Sequence, residues 1–546
     1  MFSLTPIGIV ERIRSDGRTK TSFLLITEKF DYDLAILGGG SAGYAAARTA
    51  AAAGLKTVVV EGGREVGGLC ILRGCMPSKA LLQAAEVLHL ARRVSTWGLW
   101  AKSVGFDFRR VMARKTHLIG NFAEDRRRQL EGGKFDFRRA SARFVDAHTL
   151  ECVPIGTQPE VGLLRAHSRR RKLPVTLSPQ KGAQNLPAAQ PVPFRLTARK
   201  FVVATGSVIS PPPLPFLRET GYLTSDDALS LRRLPRSLII LGGGAIACEL
   251  AQYFARLDVR VTLLQRSPHV LRGFDADAAG VIETVLGRDG VRLFTGTKLL
   301  EAWRDGAGKG VTFEQGGRSR RVKAEEILFA LGRSPNTGHL GLEHAGVSLD
   351  QGRIVTNARM QTSAPHIFAA GDCTGPHEIV HVAIQQAEFA AHNVVHPRRM
   401  RELDYRLLLR VVFTEPQVAA VGLTQAEATA RRIPCFTASH PFDDHGKSLI
   451  LDALDGFVKL LANPDTGEIL GGACVGPFGG ELIHEIVAAM AGHLTVQELA
   501  FLPHYHPTLA EIWTYPAEEL AARITARREP VRGERRSAAR GRYRRA

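Results

Sequence analysis

With 546 residues, the chain is longer than one hydrophobic core usually supports, so several domains are expected. Its 45% hydrophobic and 23% charged residues are typical of a globular protein, and no apolar run reaches the roughly 18 residues that a transmembrane helix needs. The N-terminus lacks the charged, apolar and small-residue order of a secretory signal. These features disfavour membrane contact and predict a cytoplasmic protein.

The net charge of +19 suggests a nucleic-acid partner until the charge is located along the chain. Residues 153–200 contain nine basic and one acidic residue, and residues 523–546 contain ten basic and two acidic ones. Both segments are predicted to be disordered and solvated, and the rest of the chain is close to neutral. Nucleic-acid binding is therefore disfavoured. That alternative predicts an affinity for nucleic acid that falls steeply as the salt concentration rises.

Two copies of one nucleotide-binding pattern dominate the chain. The copy that begins at Asp31 reads DYDLAILGGGSAGYAAARTAAAAGLKTVVVE, and the copy that begins at Arg236 reads RSLIILGGGAIACELAQYFARLDVRVTLLQ. Each predicts a strand, a glycine-rich turn, a helix and a second strand. The turn residues are Gly38, Gly40 and Gly43 in the first copy, and Gly242, Gly244 and Ala247 in the second. Such a turn lets the backbone and a helix N-terminus approach a pyrophosphate, so both copies predict dinucleotide binding.

The two copies differ at the position that reads the ribose. Glu61 ends the second strand of the first copy, where a carboxylate can accept hydrogen bonds from a ribose diol. The same offset of 23 residues from Gly242 falls on Gln265, followed by Arg266. An amide and a cation in place of the acid favour NADP(H) over NAD(H).

Only two of the seven cysteines, Cys70 and Cys75, lie close together. A structural disulfide framework is excluded, and no second ligand pair at zinc spacing is present, so no metal site is predicted. The helical pattern from Ala80 onwards places Cys75 near a helix start, where a thiol pKa is lowered. A short loop between the thiols would let a disulfide close and reopen. The pair is predicted to be redox-active, with two buried free thiols as the alternative.

The cysteine segment GGLCILRGCMPSK resembles the active-site segment of the class I pyridine nucleotide–disulfide oxidoreductases. Four further motifs agree in the expected order: FVVATGS from Phe201, IFAAGD from Ile367, FTEPQ from Phe413 and HPTLAE from His506. The resemblance spans about residues 31–520. It implies an α/β fold with two Rossmann-like domains, for FAD and NAD(P), and a C-terminal α+β dimerisation domain.

The resemblance also implies domain boundaries. They are an N-terminal extension (1–30), a first FAD-binding segment (31–213) with a basic insertion (about 153–197), an NAD(P)-binding domain (214–335), a second FAD-binding segment (336–400), a dimerisation domain (401–522) and an Arg-rich disordered tail (523–546). The extension, the insertion and the tail have no counterpart in the family.

The resemblance assigns roles around the cysteines. Cys75 would face the flavin, and Cys70 would exchange with substrate. Lys79 matches the family lysine near flavin N5, and Glu249 matches its ion-pair partner; a solvated lysine and a surface acid are the alternatives. The remaining residues implied in cofactor binding are Gly206, Gly371 and Asp372 for FAD, and Arg272 and Gly332 for NAD(P). Arg266 and Arg272 resemble the two arginines that bind the 2′-phosphate in glutathione reductase.

The C-terminal motif implies a proton-transfer pair. His506 matches the family's general acid/base, and Glu511 would orient its other ring nitrogen. In the family this pair reaches the disulfide of the partner subunit, so a homodimer is implied. The spacing of Thr508 and Glu511 also fits a helix capping box, which could coexist with catalysis. His504 is either a second site histidine or a packing residue.

The favoured function is reduction of a small disulfide by NAD(P)H through FAD and the cysteine pair. The nearest alternative is dihydrolipoamide dehydrogenase, which oxidises a dithiol with NAD⁺. His504 and His506 favour that subfamily, whereas Gln265 and Arg266 argue against its usual NAD. A mercuric-reductase-like activity is disfavoured because no cysteine follows Cys474.

Overall fold

The protein is described by a computed structural model that covers residues 29–155 and 192–528. Within these ranges, no helix combines the length and apolar character needed to cross a lipid bilayer. The strands fall into separate sheets that correspond to two nucleotide-binding units and a C-terminal domain.

The first unit is a parallel sheet flanked by helices. Its elements are β1 (Tyr32–Leu37), α1 (Ser41–Ala52), β2 (Thr57–Glu61), α2 (Gly68–Arg73), α3 (Cys75–Arg92), α4 (Phe108–Glu131), β3 (Asp136–Phe144), β4 (Thr149–Pro154) and β5 (Phe194–Val203). β1 pairs in parallel with β2 and β5, and β2 pairs in parallel with β3. β3, β4 and β5 also form an antiparallel meander.

The second unit repeats the pattern. Its elements are β6 (Ser207–Ile209), α5 (Pro215–Thr220), α6 (Ser225–Ala228), β7 (Ser237–Leu241), α7 (Ala245–Arg256), β8 (Arg260–Leu264), α8 (Ala276–Arg288), β9 (Arg292–Phe294), β10 (Thr297–Asp305), β11 (Gly308–Gln315), β12 (Arg318–Ala324), β13 (Glu326–Phe329) and β14 (Arg333–Pro335). The parallel sheet has the order β13-β7-β8-β9, with β10, β11 and β12 as a separate antiparallel sheet. β6 and β14 form a further antiparallel sheet of two strands.

The remaining chain returns to the first unit and then forms the C-terminal domain. Its elements are β15 (Leu349–Asp350), β16 (Arg353–Ile354), β17 (Ile367–Ala369), α9 (Val380–Val395), β18 (Leu409–Val412), β19 (Gln417–Gly422), α10 (Gln425–Ala430), β20 (Phe436–Pro441), α11 (Gly446–Leu451), β21 (Phe457–Ala462), β22 (Ile469–Gly476), α12 (Gly479–Ala491), α13 (Val496–Phe501) and α14 (Thr514–Arg528). β17 joins the first sheet beside β5. The C-terminal sheet is antiparallel, in the order β18-β19-β22-β21-β20.

The first sheet is covered on both faces. Leu34 and Ile36 pack in one hydrophobic cluster, and Ala35 and Leu37, which alternate with them on β1, pack in another. A strand buried on both faces requires the uninterrupted apolar run that β1 has. α1 packs against α9 through alanines on both helices, whose short side chains allow a close approach. The predicted α/β class, with two Rossmann-like units and a C-terminal α+β domain, is confirmed.

Two predicted segment boundaries are wrong. Regular strand pairing continues to Pro154 and resumes at Phe194, because β3, β4 and β5 share one meander, so the basic insertion is shorter than 153–197. The tail is helical as far as Arg528, because α14 buries apolar side chains of the C-terminal core. The rest of these segments and the N-terminal extension lie outside the described residues; the other domain boundaries remain predictions.

Candidate active site

The two cysteines lie on consecutive helices. Cys70 is inside α2, Cys75 is the first residue of α3, and Gly74 separates the helices. The predicted position of Cys75 near a helix start is confirmed, because Cys75 begins α3. The predicted short loop between the thiols is wrong, because α2 continues to Arg73 and only Gly74 separates the two helices. Neither helix start has a side-chain cap, so the sequence carries no capping signal there.

The cysteine segment packs directly against the turn of the first nucleotide unit. Gly68 has a φ of +75°, and a Cβ built on it would lie 2.6 Å from the Cα of Gly40. Only glycine permits both this backbone conformation and this approach. The first turn of α2 therefore touches the nucleotide turn, which brings Cys70 and Cys75 to the same cavity as Gly40.

The two thiols are free and interact with each other. A hydrogen bond from Cys70 lowers the pKa of Cys75 to about 7, and the ammonium of Lys79 acts in the same direction, whereas burial opposes both. The contact with Cys75, together with burial, raises the pKa of Cys70 above its usual range. When the reduced pair loses one proton, the negative charge is therefore on Cys75 and the remaining proton is on Cys70.

Lys79 and Glu249 form an ion pair beside Cys75. The Lys79 ammonium lies 3.0 and 2.9 Å from the two carboxylate oxygens of Glu249. Glu249 is 4% exposed and also accepts a hydrogen bond of 2.9 Å from the backbone N–H of Phe413. Glu249 is therefore a buried, fully engaged carboxylate rather than a surface acid, and it links the second unit to the C-terminal domain.

The other cysteines have no comparable surroundings. Cys152, Cys248, Cys373 and Cys474 are buried, and burial raises the pKa of Cys152 and of Cys373 to about 11. A thiol that stays protonated is a poor nucleophile. Among residues 29–155 and 192–528, no three His, Cys, Asp or Glu side chains are grouped as metal ligands.

The first nucleotide turn has the geometry that its glycines predict. Gly38 has a φ of +105°, and a Cβ there would lie 2.4 Å from the carbonyl oxygen of Ala204. A Cβ on Gly43 would lie 1.8 Å from the carbonyl oxygen of Gly38. Gly40 is the N-cap of α1, whose first turn carries no acidic residue. The free N–H groups of α1 therefore face a site suited to phosphate.

Two cavities, of about 290 and 600 Å³, meet at this turn and share Gly40 and Gly206 in their linings. The larger one contains Glu61, whose two carboxylate oxygens accept hydrogen bonds from the backbone N–H groups of Gly39 and Gly63. The smaller one contains both cysteines, Lys79 and Asp372. Together they place the carboxylate of Glu61, which is predicted to bind a ribose, at one end of the site and the thiols at the other.

Asp372 is held by residues that the sequence analysis did not select. Its carboxylate accepts a hydrogen bond of 2.6 Å from the Ser207 hydroxyl, which in turn accepts one of 2.8 Å from Arg333. Gly371 has a φ of +81° and donates its N–H to Gln386 at 2.7 Å. The signal for Ser207 was its place in the FVVATGS motif; Arg333 is marked only by its position after Gly332.

The second turn has the same backbone geometry as the first. Gly242 has a φ of +111°, and a Cβ there would lie 2.4 Å from the carbonyl oxygen of Ala330. Gly244 is the N-cap of α7 with open space around it, and Ala247, the small third residue, is buried. Gly332 follows β13 with a φ of +121°. The internal repeat is therefore structural as well as sequential.

The residues predicted to select the nicotinamide cofactor lie together beyond β8. The Gln265 amide donates to the carbonyl of His269 at 3.2 Å, and its oxygen accepts from the backbone N–H of Arg266 at 3.1 Å. Gln265 therefore does not bind the turn backbone as Glu61 does in the first unit. Arg266 and Arg272 are exposed, and within the described chain neither is held by an acidic side chain.

His506 and Glu511 form the predicted pair. His506 Nδ1 lies 3.0 Å from Glu511 Oε2, and the His506 side chain is 78% exposed. The capping-box interpretation is wrong, because the helical turn Ala510–Trp513 has Leu509 as its N-cap and no side-chain cap. His506 does not line the cavity of the cysteines in its own chain. His504 pairs with Glu485 at 2.7 Å instead.

Two nucleotide-binding units that meet at a reactive thiol pair define the class of molecule: a dinucleotide-dependent thiol–disulfide oxidoreductase. A family described as pyridine nucleotide-disulphide oxidoreductase matches residues 32–387, and its dimerisation domain matches residues 408–517. The chain belongs to the class I pyridine nucleotide–disulfide oxidoreductase family and is a flavin-dependent enzyme of that kind. The matched dimerisation domain supports a homodimer.

Three relatives illustrate the range of the family. The chain is 32% identical to a dihydrolipoyl dehydrogenase of Geobacillus stearothermophilus, over 88% of this chain and 95% of that protein. It is 32% identical to a mercuric reductase of Staphylococcus aureus, over 88% of this chain and 81% of that protein. The crystal structure of LpdA from Mycobacterium tuberculosis has a TM-score of 0.75 and 29% identity, covering 89% of this chain and 99% of that one.

The Lys79 ammonium is expected to control the reactivity of Cys75. Because Lys79 lowers the pKa of Cys75, Lys79→Met should move the alkylation of Cys75 to higher pH, whereas Lys79→Arg should keep the wild-type profile. The measurement is the rate of iodoacetamide labelling of the reduced protein against pH, with the modified peptide followed by mass spectrometry.

The matched control is Lys102→Met, which removes an exposed lysine elsewhere on the same unit. Wild-type protein should show a midpoint near pH 7 for Cys75. A Lys79→Met profile that coincides with both wild type and Lys102→Met would contradict the assigned role.

Proposed function

We propose that the chain reduces a small disulfide with NADPH, using FAD and the Cys70–Cys75 pair, as a cytoplasmic homodimer. The observation that carries the proposal is the position of the pair: both cysteines line a cavity that also contains the nucleotide turn and the Lys79–Glu249 ion pair. The lowered pKa of Cys75 and the raised pKa of Cys70 favour a reduced pair with one thiolate and one protonated thiol, which is the state that disulfide exchange needs.

The residues present fit FAD. A Cβ at Gly40 would lie 3.7 Å from Gly68, and both glycines line the larger cavity, so any side chain at position 40 would narrow the passage. The helix N-terminus of α1 would hold the pyrophosphate, Glu61 the ribose and Asp372 the ribitol. When bound there, FAD supplies the hydride chemistry that connects NADPH to the thiol pair.

Disulfide exchange then follows from the side chains. His506 takes the proton of Cys70, and the resulting thiolate attacks one sulfur of the substrate, whose S–S bond breaks. The leaving thiolate takes the proton back from His506. The Cys75 thiolate attacks the Cys70 sulfur of the mixed disulfide, which forms the Cys70–Cys75 disulfide and releases the second thiolate to be protonated by solvent. The pair loses two electrons, and the substrate gains them.

A base is required because Cys70 is the less acidic thiol. The contact with Cys75 and burial both keep the proton on Cys70 by raising its pKa. His506 is exposed, is oriented by Glu511 and is absent from the lining of its own chain's cavity. A His506 that acts in the site of the second subunit accounts for these features together, since His506 would be buried only in the dimer.

The second candidate is the reverse reaction, oxidation of a dithiol such as dihydrolipoamide. It is favoured by the dihydrolipoyl dehydrogenase relatives, which the chain matches along almost their whole length. A mercuric reductase activity is supported by one relative, a mercuric reductase whose sequence identity is comparable to that of the dihydrolipoyl dehydrogenases. Binding of nucleic acid is the least favoured, because outside the two basic segments of the sequence the chain is close to neutral.

One experiment separates these candidates. The holoenzyme is assayed with a panel of small disulfides, dihydrolipoamide and Hg²⁺, each with both nicotinamides, and with Cys70→Ser and Cys75→Ser as controls. Turnover of a disulfide with NADPH that both serine variants abolish supports the proposal. Faster dithiol oxidation with NAD⁺, or disulfide turnover that survives both serine variants, would contradict it.

A further inference from the structure

Glu511 has a second histidine on its carboxylate. Oε2 of Glu511 lies 3.0 Å from His506 Nδ1, and Oε1 lies 3.4 Å from Nε2 of His445. His506 is 78% exposed, but His445 is completely buried. His445 precedes α11, so it approaches Glu511 from a different element than His506 does. One carboxylate therefore connects a buried imidazole to an exposed one.

The surroundings of His445 determine which ring nitrogen carries hydrogen. Nδ1 lies 2.8 Å from the hydroxyl of Ser448, which is itself completely buried. Among the described residues, this nitrogen is the only partner that the hydroxyl has, so the hydroxyl donates and Nδ1 accepts. The hydrogen of a neutral ring must then be on Nε2. Among the described residues, this buried nitrogen has no hydrogen-bond partner of regular geometry, and the carboxylate oxygen that faces it, Glu511 Oε1, lies 3.4 Å away.

Burial favours the neutral form of His445. It lowers the pKa of His445 from its ordinary value, and His440 and His506 act in the same direction, while Glu511 opposes them. The remaining titratable group that faces the ring is the phenol of Tyr515, packed edge-on at 6.3 Å between ring centroids. A neutral imidazole with its hydrogen on Nε2 is a hydrogen-bond donor to a carboxylate, with no competing charge.

We propose that His445 is a positioning residue for the reaction: its Nε2–H holds Glu511 Oε1, so that Oε2 stays aligned with Nδ1 of His506. The inference rests on the proposed acid–base role of His506. The bond also takes up part of the negative charge of Glu511, which weakens the stabilisation of protonated His506. His445 thereby affects how readily the exposed imidazole takes up and releases a proton.

The test is His445→Phe, which keeps a ring in the buried site and removes the donor. The midpoint of the His506 ring titration, followed by NMR, should move to higher pH, because the Glu511 carboxylate then acts on His506 alone. His445→Gln, whose amide can donate from the same direction, should return the midpoint towards wild type. The pH profile of the half-reaction with disulfide should move in parallel.

The matched control is His440→Phe. His440 stacks on Tyr515 at 4.1 Å between ring centroids, close to His445, but does not contact Glu511. It should leave the midpoint unchanged. If His445→Phe does not fold, His445→Met, which fills the same buried site without a donor, provides the same test. An unshifted midpoint in whichever of these two variants is folded overturns the inference.

The titration does not depend on turnover. If His506→Gln leaves disulfide reduction intact, the proposed function fails, whatever the midpoint does. If His506→Gln slows disulfide reduction but His445→Phe moves neither the midpoint nor the pH profile, the proposed function stands and the inference fails.

Discussion

His506→Gln is expected to slow the half-reaction with disulfide by about 10²–10⁴-fold, the usual contribution of a positioned acid–base group. Reduction of the enzyme by NADPH should stay near the wild-type rate, since the proposed proton transfer between Cys70 and His506 belongs to the exchange with the disulfide and not to hydride transfer from NADPH. The measurement is stopped-flow kinetics of the two half-reactions in separate mixing experiments.

A matched control exists in the same domain. His493 and Glu468 form another exposed pair, with Nδ1 2.8 Å from Oε1 and the histidine 65% exposed. His493→Gln removes a similar contact far from the proposed chemistry and should leave both half-reactions unchanged. Equal losses in both half-reactions of His506→Gln, or the same loss in His493→Gln, would make the effect structural.

Mixing subunits tests where His506 acts. A Cys70→Ser subunit and a His506→Gln subunit are each inactive as homodimers, but a hybrid dimer has one complete site if His506 serves the partner's cysteines. Random reassociation should then restore about a quarter of wild-type activity, because half of the dimers are hybrids with one working site each. No recovery after confirmed subunit exchange would mean that His506 serves its own chain.

The parts of the molecule that sequence predicts well are those where backbone geometry leaves no choice of residue. Gly38 and Gly242 both adopt positive φ, and in each case a Cβ would lie 2.4 Å from a carbonyl oxygen. Only glycine fits such a position, so the turn can be recognised from the amino-acid sequence alone. The same constraint, acting twice, is what makes the internal repeat visible.

The parts that sequence missed depend on contacts between distant elements. α2 has six residues and no side-chain cap, so the sequence does not predict it as a helix. It nevertheless determines how the two thiols face each other. His445 and Glu511 are 66 residues apart in the chain, and no local pattern links them. The arginines of the tail predict disorder from residue 523 onwards. However, Leu520 and Ile524, four residues apart, form the apolar face that keeps α14 helical to Arg528.

The wild-type enzyme is expected to prefer NADPH over NADH by about 10²-fold in kcat/KM. Two charge-assisted hydrogen bonds to a 2′-phosphate contribute roughly 1.5–3 kcal/mol each before solvent exposure reduces them, and about 1.4 kcal/mol corresponds to a tenfold change. Arg266 and Arg272 are exposed, and no acidic side chain in the described chain neutralises either one. Both are therefore free to bind a phosphate.

The variant Gln265→Glu/Arg266→Ala is expected to reverse most of this preference. In the first unit the equivalent acid, Glu61, is held by two backbone N–H groups and faces the nucleotide cavity. A glutamate at 265 would repel the phosphate and accept hydrogen bonds from a free ribose diol. Steady-state kinetics with each nicotinamide should show kcat/KM falling for NADPH and rising or holding for NADH.

Arg260→Ala is the matched control, because Arg260 is an exposed arginine at the opposite end of the same strand, β8. It removes one positive charge, as Arg266→Ala does, without touching the loop after Gln265, so its cofactor preference should stay that of wild type. Recognition of a phosphate also predicts that KM for NADPH rises with ionic strength more steeply than KM for NADH, since salt screens exposed charges. A wild-type enzyme that favours NADH, or a double variant whose preference matches that of Arg260→Ala, would show that the two arginines are only solvated and that the amide at 265 does not select the cofactor.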